Sequence, residues 1–446
     1  MSLAWRVAYL VYRIFSWVHY AGRRRFTKPG LMVLGALFVA TLLGPDTENS
    51  VAYQAFTLLF AILSVALVFS WFFRVRFTGT RLLPRFGTVG HPLHYTVLLT
   101  NLGQKTQTGL ALVEDLTDIR PPFRQWRAVQ RAQDRQLRSF RIGQKRRKHP
   151  FKAAEVKEAE VAPVGPGQEV EVRAQLTPLR RGPLRFAGVT LARPDPLGLY
   201  RALARVPAPQ STLILPKRYP LPPIALPGVL KYQQGGVALA SNVGQSEEFV
   251  ALRDYRYGDP MRHIHWRSWA KAGKPVVKEF EDEFFVRHAL VLDTFTDDPQ
   301  DDLFEEAVSV AASFACTVLT QESLLDLLFV GPESYCFTAG RGLGQTDRML
   351  EILAAVQACL DQPFDELERL VLQHATLLSG CICVLLAWDQ RRQKFVEKLK
   401  MLGVPVLVLV LAAPGKAGSI QPGIMEGDAF RVLELGQIEQ GLAKLR

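Results

Sequence analysis

The sequence predicts three parts: an N-terminal transmembrane helical hairpin, an antiparallel β-sandwich domain and an α/β doubly wound domain. A long charge-free run predicts the hairpin, short alternating strands with turn residues predict the sandwich, and helices alternating with apolar strands predict the α/β domain. The predicted boundaries are 1–76 for the helices, 77–216 for the sandwich, 217–285 for a linker with a signature motif, and 286–446 for the α/β domain.

Two charge-free runs define the predicted hairpin. Val51–Phe73 is long enough to cross a bilayer as a helix, and Leu31–Leu43 reaches the short end of the spanning range. Basic residues flank the pair on both outer sides and the intervening loop carries acids alone, so the positive-inside rule places both flanks in the cytoplasm. Leu3–Tyr20, rich in Trp and Tyr, predicts an interfacial helix on the inner leaflet. We therefore expect a multi-pass protein of the inner (cytoplasmic) membrane; a cleaved signal peptide and a buried soluble hairpin are the alternatives.

Composition agrees with soluble domains in the cytoplasm. All five cysteines lie in the last third of the 446 residues and lack CxxC spacing. This pattern favours reduced thiols over a disulfide framework or a zinc site. The hydrophobic share of 48% is consistent with a membrane segment.

Short alternating segments separated by Gly, Pro and Asn turns predict the β-sandwich. The predicted strands are His94–Thr100, Leu110–Asp115, Glu169–Leu176, Phe186–Leu191 and Thr212–Leu215. A basic insertion at 118–155 interrupts them. Between Arg120 and Lys152 it carries nine Arg and three Lys against one Asp, which supplies +11 of the net charge of +12.

Five arginines of this insertion recur at helical spacing on one face: Arg124, Arg127, Arg131, Arg135 and Arg138. The apolar counterpart is sparse, which predicts a helix stabilised by a partner rather than by a core. Close to a membrane, each Arg contributes about 1 kcal/mol of attraction to anionic lipid headgroups, and the inner leaflet is the nearest such surface. We expect lipid contact. A solvated loop is the alternative. Nucleic acid is the rival partner, but aromatic stacking platforms are missing and a basic stretch alone is nonspecific.

Helices and apolar strands alternate in the last third of the chain. The predicted helices are Asp302–Leu319, Asp347–Leu360, Asp365–Leu377 and Arg391–Met401. The predicted strands are His288–Leu292, Leu324–Val330, Cys381–Trp388 and Val404–Leu411. The last two strands are continuous apolar runs, which is typical of parallel strands covered on both faces and therefore of a doubly wound sheet.

The stretch Ser246–Phe284 is too patterned for a generic surface loop. A Gly258-Asp259 turn separates an acidic and aromatic run from a block of Arg and Trp residues, and an apolar strand follows. The stretch resembles the signature of a bacterial family known only as domain of unknown function fifty-eight. The matching residues are Leu252, Arg253, Tyr255, Gly258, Asp259, Arg262, Ile264, Trp266, Ala270, Gly273 and Glu279. His265 stands where the family usually carries Asp.

The resemblance implies a von Willebrand factor A-like domain and a protein similar to partners of MoxR-type AAA+ ATPases. It therefore implies a non-enzymatic adaptor, without a cofactor, for ATP-driven assembly or remodelling of a client complex. The residues expected to carry the interaction are Arg253, Tyr255, Gly258, Asp259, Arg262 and Trp266. A second family pattern matches Asp195, Gly198 and Leu199 in the sandwich, where we expect backbone turns.

Von Willebrand A domains hold Mg²⁺ on an Asp-x-Ser-x-Ser loop, a Thr and a second Asp at the carboxyl edge of the sheet. Here the loop runs from Asp293 to Asp297 with Phe295 in place of the first Ser, and Asp389 fits the second Asp. Leu360–Asp365 stands where the Thr is expected and has Pro and Phe there. Too few oxygen ligands remain, so we expect a degenerate site that does not need Mg²⁺, unless a register shift brings in Thr296 and Asp297.

Two alternative functions remain at this stage. His263 and His265 lie two residues apart, which on a strand places both on one face, where they could serve a metal-dependent hydrolase together with Asp259. Arg120–Lys152 could instead serve a membrane-bound nucleic-acid-binding protein.

Overall fold

The computed structural model divides into two compact units, residues 1–217 and residues 218–446. The structure describes the chain except residues 1, 44–50, 118–121, 124, 125, 128, 132–151, 223–248, 260, 281–285, 297–300, 320–323, 341, 342, 424, 426–428 and 446.

Three helices open the first unit: α1 (Ser2–Arg25), α2 (Lys28–Leu43) and α3 (Val51–Trp71). α2 packs against α3. Among the described residues, α3 is the one helix long and apolar enough to cross a membrane; α2 is apolar but shorter. The finding is weak support for membrane association, and the second span of the predicted hairpin stays a prediction.

Two sheets follow in the same unit. Their strands are β1 (Phe77–Leu82), β2 (Phe86–Thr88), β3 (Leu93–Asn101), β4 (Leu110–Leu116), β5 (Ala154–Lys157), β6 (Ala159–Val161), β7 (Glu169–Pro178), β8 (Gly182–Pro194) and β9 (Arg201–Leu215). One sheet has the order β1-β3-β7-β5 and the other β2-β9-β8-β4-β6. The five predicted strands lie within β3, β4, β7, β8 and β9. Alternate residues of both sheets, such as Val97, Leu112 and Val189, share one apolar core.

A buried ion pair joins the two sheets. Arg81 on β1 donates from Nε and Nη2 to the Glu114 carboxylate on β4, over 3.2 and 2.9 Å, and from Nη1 to the Ala208 carbonyl over 2.7 Å. Its guanidinium also lies 4.7 Å from the ring centroid of Phe186. Burial raises the pKa of Glu114, and the adjacent Arg81 charge opposes that rise. Either charge would be buried and unpaired without the other. The pair therefore favours the alignment of the two sheets in which Arg81 and Glu114 meet.

The second unit has a six-stranded sheet and a separate two-stranded one. Its strands are β10 (Phe249–Asp254), β11 (Val276–Phe280), β12 (Arg287–Leu292), β13 (Leu324–Val330), β14 (Ser334–Ala339), β15 (Gly380–Leu385), β16 (Val406–Ala412) and β17 (Phe430–Glu434). Its helices are α4 (Trp266–Ala272), α5 (Asp302–Leu319), α6 (Leu343–Ala355), α7 (Asp365–His374), α8 (Gln390–Met401) and α9 (Ile438–Leu442).

The six-stranded sheet has the order β14-β13-β12-β15-β16-β17, and only β14 runs antiparallel. α7 and α8 pack on one face, where Phe395 and Leu367 belong to the same buried core as Val291 and Cys383. The alternate strand residues are also buried, and α5 packs against β12, β13, β15 and β16. Both faces are therefore covered, which explains the continuous apolar runs in the sequence. The unit is a mixed α/β structure.

The start of the predicted linker is held by hydrogen bonds to α5. Tyr219 is buried; its N–H donates to the Ser313 Oγ of α5 over 2.8 Å and its hydroxyl to Glu306 over 2.6 Å. The predicted helix Asp347–Leu360 begins earlier, at Leu343, and ends at Ala355. Cys359, beyond its end, is held by a β-bridge to Phe295 instead.

The Asp195 loop is a turn, as predicted, and it contacts the N-terminal helices. Asp195 Oδ1 accepts from the N–H groups of Leu199 and Tyr200, each over 2.7 Å, and Gly198 has a positive φ of 68°. Thr27 accepts from the Gly30 N–H over 3.1 Å, which caps α2, and its hydroxyl donates to the Gly198 carbonyl. Leu199 and Tyr200 pack against Ala66 of α3. The loop therefore joins the sheets to the helices that start the chain.

A substitution at Gly30 would test the contact between α2 and the Asp195 loop. A Cβ at Gly30 would lie 1.9 Å from the Leu199 carbonyl oxygen, a backbone atom that cannot move aside alone. We expect Gly30→Ala to separate α2 from the loop and to lower the free energy of unfolding by roughly 1–3 kcal/mol, the usual cost of overpacking. Gly22→Ala is the matched control, since nothing lies within 4 Å of its Cβ position. Thermal unfolding of the full chain in detergent measures both, and equal midpoints would contradict the joint.

Candidate functional site

The first candidate site lies at the carboxyl edge of the six-stranded sheet. β12 and β15 are parallel neighbours at its centre, and the connections leave them in opposite directions. A crevice at such a switch point is where open α/β sheets usually bind ligands. Asp293 follows β12 directly and Asp389 follows β15, so the structure brings both predicted acids to this edge.

Asp293 is fully buried, and both of its oxygens are occupied. Oδ1 accepts from the Phe295 N–H over 3.0 Å, and Oδ2 accepts from the Leu386 N–H over 3.0 Å. Oδ2 also accepts from Nε of Arg392 over 2.6 Å. A buried carboxylate needs compensation of this kind, because desolvation otherwise makes its charge costly.

Arg392 links the two acids. Asp389 caps α8: its Oδ1 accepts from the Arg392 N–H over 3.0 Å, while Oδ2 accepts from Nη1 of the same residue over 2.7 Å. Arg392 is 7% exposed. Burial acts to lower the pKa of Arg392, but the charges of Asp293 and Asp389 outweigh it and raise that pKa. The guanidinium is therefore a permanent cation between two carboxylates.

One aromatic ring covers this cation, and two others pack against that ring. The guanidinium carbon of Arg392 lies 4.8 Å from the ring centroid of Phe364, which is in edge contact with Phe295 at 5.6 Å and with Phe395 at 5.7 Å. Phe295 and Phe364 are the two residues that replace expected oxygen ligands of a metal site. They pack together instead of binding an ion.

The residues present do not fit the Mg²⁺ site that the family resemblance implied. The Asp293 oxygens are taken by two amides and a guanidinium, and the Thr294 hydroxyl donates to the Val330 carbonyl. Thr296, which a register shift would bring in, donates to Asp301 over 3.1 Å. Asp297 lies outside the described residues. Arg392 supplies the positive charge that a metal would bring to these acids.

The second candidate site is the signature motif. β10 and β11 pair antiparallel, and between them Gly258, with a φ of 104°, forms the predicted turn. Arg253 holds Asp259 by two parallel bonds of 2.7 and 2.8 Å, and the Arg256 N–H donates to Asp259 over 2.8 Å. The Arg253 hydrogen bond, then the Arg256 amide, lower the pKa of Asp259 to about 2. The turn is therefore fixed by a charged pair at physiological pH.

The same motif exposes a cluster of large side chains. Trp266 and Trp269 of α4 stack at a ring-centroid distance of 5.2 Å, and Trp266 is 63% exposed. Tyr257 and Met261 are also exposed. The Tyr255 N–H donates to the Pro275 carbonyl over 3.0 Å, so this predicted residue helps to hold the turn on β11.

Two further signature residues have definite places. Gly273 ends α4 in the left-handed conformation, φ 68°, which favours Gly. Arg262 lies in a 3₁₀ turn, Met261–His263, and its side chain is outside the described part of the chain.

The two histidines do not lie on a strand, and that prediction is wrong. His263 ends the 3₁₀ turn and His265 precedes α4, where its carbonyl accepts from the N–H groups of Ser268 and Trp269 in the first turn of the helix. His265 Nδ1 lies 2.7 Å from Ser268 Oγ, and Asp259 is already bound by Arg253.

The basic insertion has a partner that the sequence did not identify. Arg127 and Arg131 are helical, while Arg124, Arg135 and Arg138 lie outside the described residues. Trp126 is buried, and its ring contacts three aromatic residues on one face of α1: Trp5, Tyr9 and Tyr12. In the described part of the insertion, Trp126 is therefore packed against α1.

The comparison with protein families bears on the second unit. Residues 251–410 match the family described as Protein of unknown function DUF58. The match supports the predicted family and includes the signature motif and both acids of the sheet edge. The "Uncharacterized protein YeaD" of Bacillus subtilis (strain 168) is 30% identical over 141 residues, which are 31% of this chain and 34% of that protein. The chain thus matches about a third of the length of this relative.

Solved structures add no argument about the fold. The CARDB domain of PF1109 from Pyrococcus furiosus is 13% identical and is aligned over 31% of this chain and 93% of its own, with a TM-score of 0.16. A cohesin module from Clostridium perfringens is 12% identical over 32% of this chain and 98% of its own, also with a TM-score of 0.16.

Arg392 is the residue that sequence reasoning missed at the edge of the six-stranded sheet. The available signal was local: Arg392 follows the predicted ligand Asp389 by three residues at the start of a helix, where a capping Asp and a basic side chain can meet. Its contact with Asp293, 99 residues away, leaves no signal in a single sequence.

Arg392→Ala should destabilise the second unit. The substitution leaves the Asp293 charge buried without a cation, which typically costs about 3–5 kcal/mol. Arg392→Lys should cost less, because it keeps the charge but loses the planar fork that reaches both acids. The control is Arg391→Ala, the adjacent exposed arginine of α8, which should change stability by no more than about 0.5 kcal/mol. Unfolding of the full chain in denaturant, followed by circular dichroism, compares the three; equal effects at 391 and 392 would disprove the role of the ion pair.

Proposed function

We propose that the chain is a membrane-anchored cytoplasmic adaptor that works with a MoxR-type AAA+ ATPase in assembly or remodelling of a client complex. In this proposal the helical hairpin is the anchor, the two sheets of the first unit are a β-sandwich, and the second unit is a von Willebrand A-like module. No catalytic residue is assigned. The DUF58 match and the order of the six strands support the family-based part of the proposal.

The observation that carries the proposal is the exposed aromatic cluster on the signature motif. Tyr257, Met261 and Trp266 present apolar surface to solvent beside a turn that the Arg253–Asp259 pair holds in place. Apolar and aromatic side chains on a rigid scaffold are characteristic of protein interfaces, where aromatic anchors supply most of the binding energy. The hydrolase alternative is not favoured, because Asp259 and His265 already have partners within the motif.

The sheet edge serves as the second contact in this proposal. The side chain of Asp389 is 49% exposed and can receive a basic group from a partner while it still caps α8. Arg392 already neutralises Asp293 from within the chain, so this contact needs no divalent ion.

Affinity capture tests the proposed partner. Full-length tagged protein, solubilised from membranes, should enrich an AAA+ ATPase, and Trp266→Ala should reduce the enrichment on the order of tenfold because an aromatic anchor is lost. Met401→Ala, an exposed apolar residue on α8, is the control and should leave capture unchanged. EDTA should leave it unchanged as well. Capture without any AAA+ ATPase would contradict the adaptor role, and capture that EDTA abolishes would restore a metal-dependent contact.

Topology mapping tests the proposed anchor. A reporter at Thr47 should be external, and reporters at Arg81 and Arg446 internal, because basic residues flank both apolar segments on their outer sides. A cysteine introduced at Gly236 should resist an impermeant thiol reagent in intact cells. Labelling there would place the second unit outside the cytoplasm.

A further inference from the structure

A cationic groove lies in the first unit. It has a volume of about 670 Å³ and runs between the last turns of α1 and strand β9. The lining side chains that matter are Trp17, Tyr20, Arg24, Arg25, Leu203 and Arg205. Three guanidinium groups and two aromatic rings therefore face one space.

Positive charge exceeds negative charge in this groove. Asp115 forms an ion pair with Arg24, and its other oxygen lies 3.6 Å from Nε of Arg205. Asp115 also accepts from the Thr190 hydroxyl over 2.6 Å. Arg25 has a neutral partner, the hydroxyl of Tyr200, at 2.7 Å. One carboxylate thus serves two of the three arginines, and the third pairs with no acid among the described residues.

Two of these arginines are accessible to a ligand. Arg25 is exposed, and its hydrogen-bond partner is the neutral Tyr200 hydroxyl. Arg205 has a side chain that is 64% exposed. The remaining N–H groups of these two guanidiniums can donate to an anionic ligand, while Arg24 is paired with Asp115.

The groove is apolar on its other side and adjoins the candidate span. Trp17 is exposed. Leu10, Ile14 and Val18, which lie on the same side of α1 and precede Arg24 and Arg25 in the chain, are exposed as well. Tyr200, the partner of Arg25, packs against Ala66 of α3. Trp and Tyr beside arginines near a spanning helix are typical of the zone where headgroups meet acyl chains.

We propose that this groove binds an anionic phospholipid. Its phosphate would accept from Arg25 and Arg205, and its acyl chains would lie along Trp17 and the exposed face of α1. Arginine forks match phosphate oxygens in geometry and charge, and the apolar surface distinguishes a lipid from a free anion. The inference rests on the proposed membrane anchor, but not on the proposed ATPase partner or on lipid contact by the basic insertion.

Native mass spectrometry of the detergent-solubilised full chain tests the groove. Short-chain phosphatidylglycerol should bind in preference to phosphatidylcholine of equal chain length. Arg25→Gln with Arg205→Gln should weaken phosphatidylglycerol binding on the order of tenfold, because each arginine near an anionic headgroup contributes measurably to attraction. Arg173→Gln with Arg185→Gln removes the same charge from exposed positions on β7 and β8 and should have no effect. Arg205→Gln alone guards against a folding defect and should itself weaken phosphatidylglycerol binding, since this side chain is 64% exposed and Asp115 keeps its ion pair with Arg24.

Two further arms separate this inference from its alternatives. Inorganic phosphate that competes fully with the lipid at equal concentration would show an anion site without lipid specificity and would overturn the proposal. So would equal binding by the groove variants and the control. The variant with Gln at Arg124, Arg127, Arg131, Arg135 and Arg138 tests the basic insertion instead. Loss of binding in that variant alone would move the lipid site there and refute the groove.

Discussion

The candidate site at the sheet edge depends on a guanidinium that stands between two carboxylates. Asp293 follows the central strand β12 and is fully buried, so its charge is tolerable only with a cation and several hydrogen bonds at hand. Arg392 supplies the cation from the first turn of α8. Because Asp389 caps that helix and also binds Arg392, one side chain fixes the end of β12, the end of β15 and the start of α8. A metal ion could hold these three elements in place only while it remained bound.

The signature motif contains another Arg–Asp ion pair, which is more exposed to solvent than the pair of Arg392 and Asp293. Arg253 and Asp259 form a two-bond pair across the Gly258 turn, but both remain partly accessible to solvent. A partly exposed pair contributes less to stability than a buried one, and its main effect is to restrict the turn to one conformation. In the proposed adaptor, a turn already restricted to one conformation loses less conformational freedom when a partner binds. In the proposed adaptor, the buried pair stabilises the module and the exposed pair prepares its contact surface.

The sequence predicted those features that depend on neighbouring residues. The helix Asp302–Leu319 and the strand Leu324–Val330 agree with the structure to the residue, because local apolar periodicity defines both. The positions of Asp293 and Asp389 at one edge followed from their places after two strands. The Arg392 side chain that joins the two acids could not be predicted, because Arg392 and Asp293 are 99 residues apart in the sequence. The error on the histidines had a local cause: a spacing of two suits a strand, and a 3₁₀ turn formed there instead.

Contacts with α1 explain why the basic insertion has few apolar residues of its own. The face with Trp5, Tyr9 and Tyr12 packs against Trp126, so the sparse apolar side of the insertion is completed by aromatic residues more than a hundred positions earlier in the chain. The opposite face of α1, including Leu10 and Ile14, remains exposed. A helix that buries one apolar face in its own protein and exposes the other is poorly suited to water but well suited to a bilayer surface. On the proposed membrane placement, α1 would hold Arg127 and Arg131 at the depth of the lipid headgroups, where their attraction to anionic lipids is strongest.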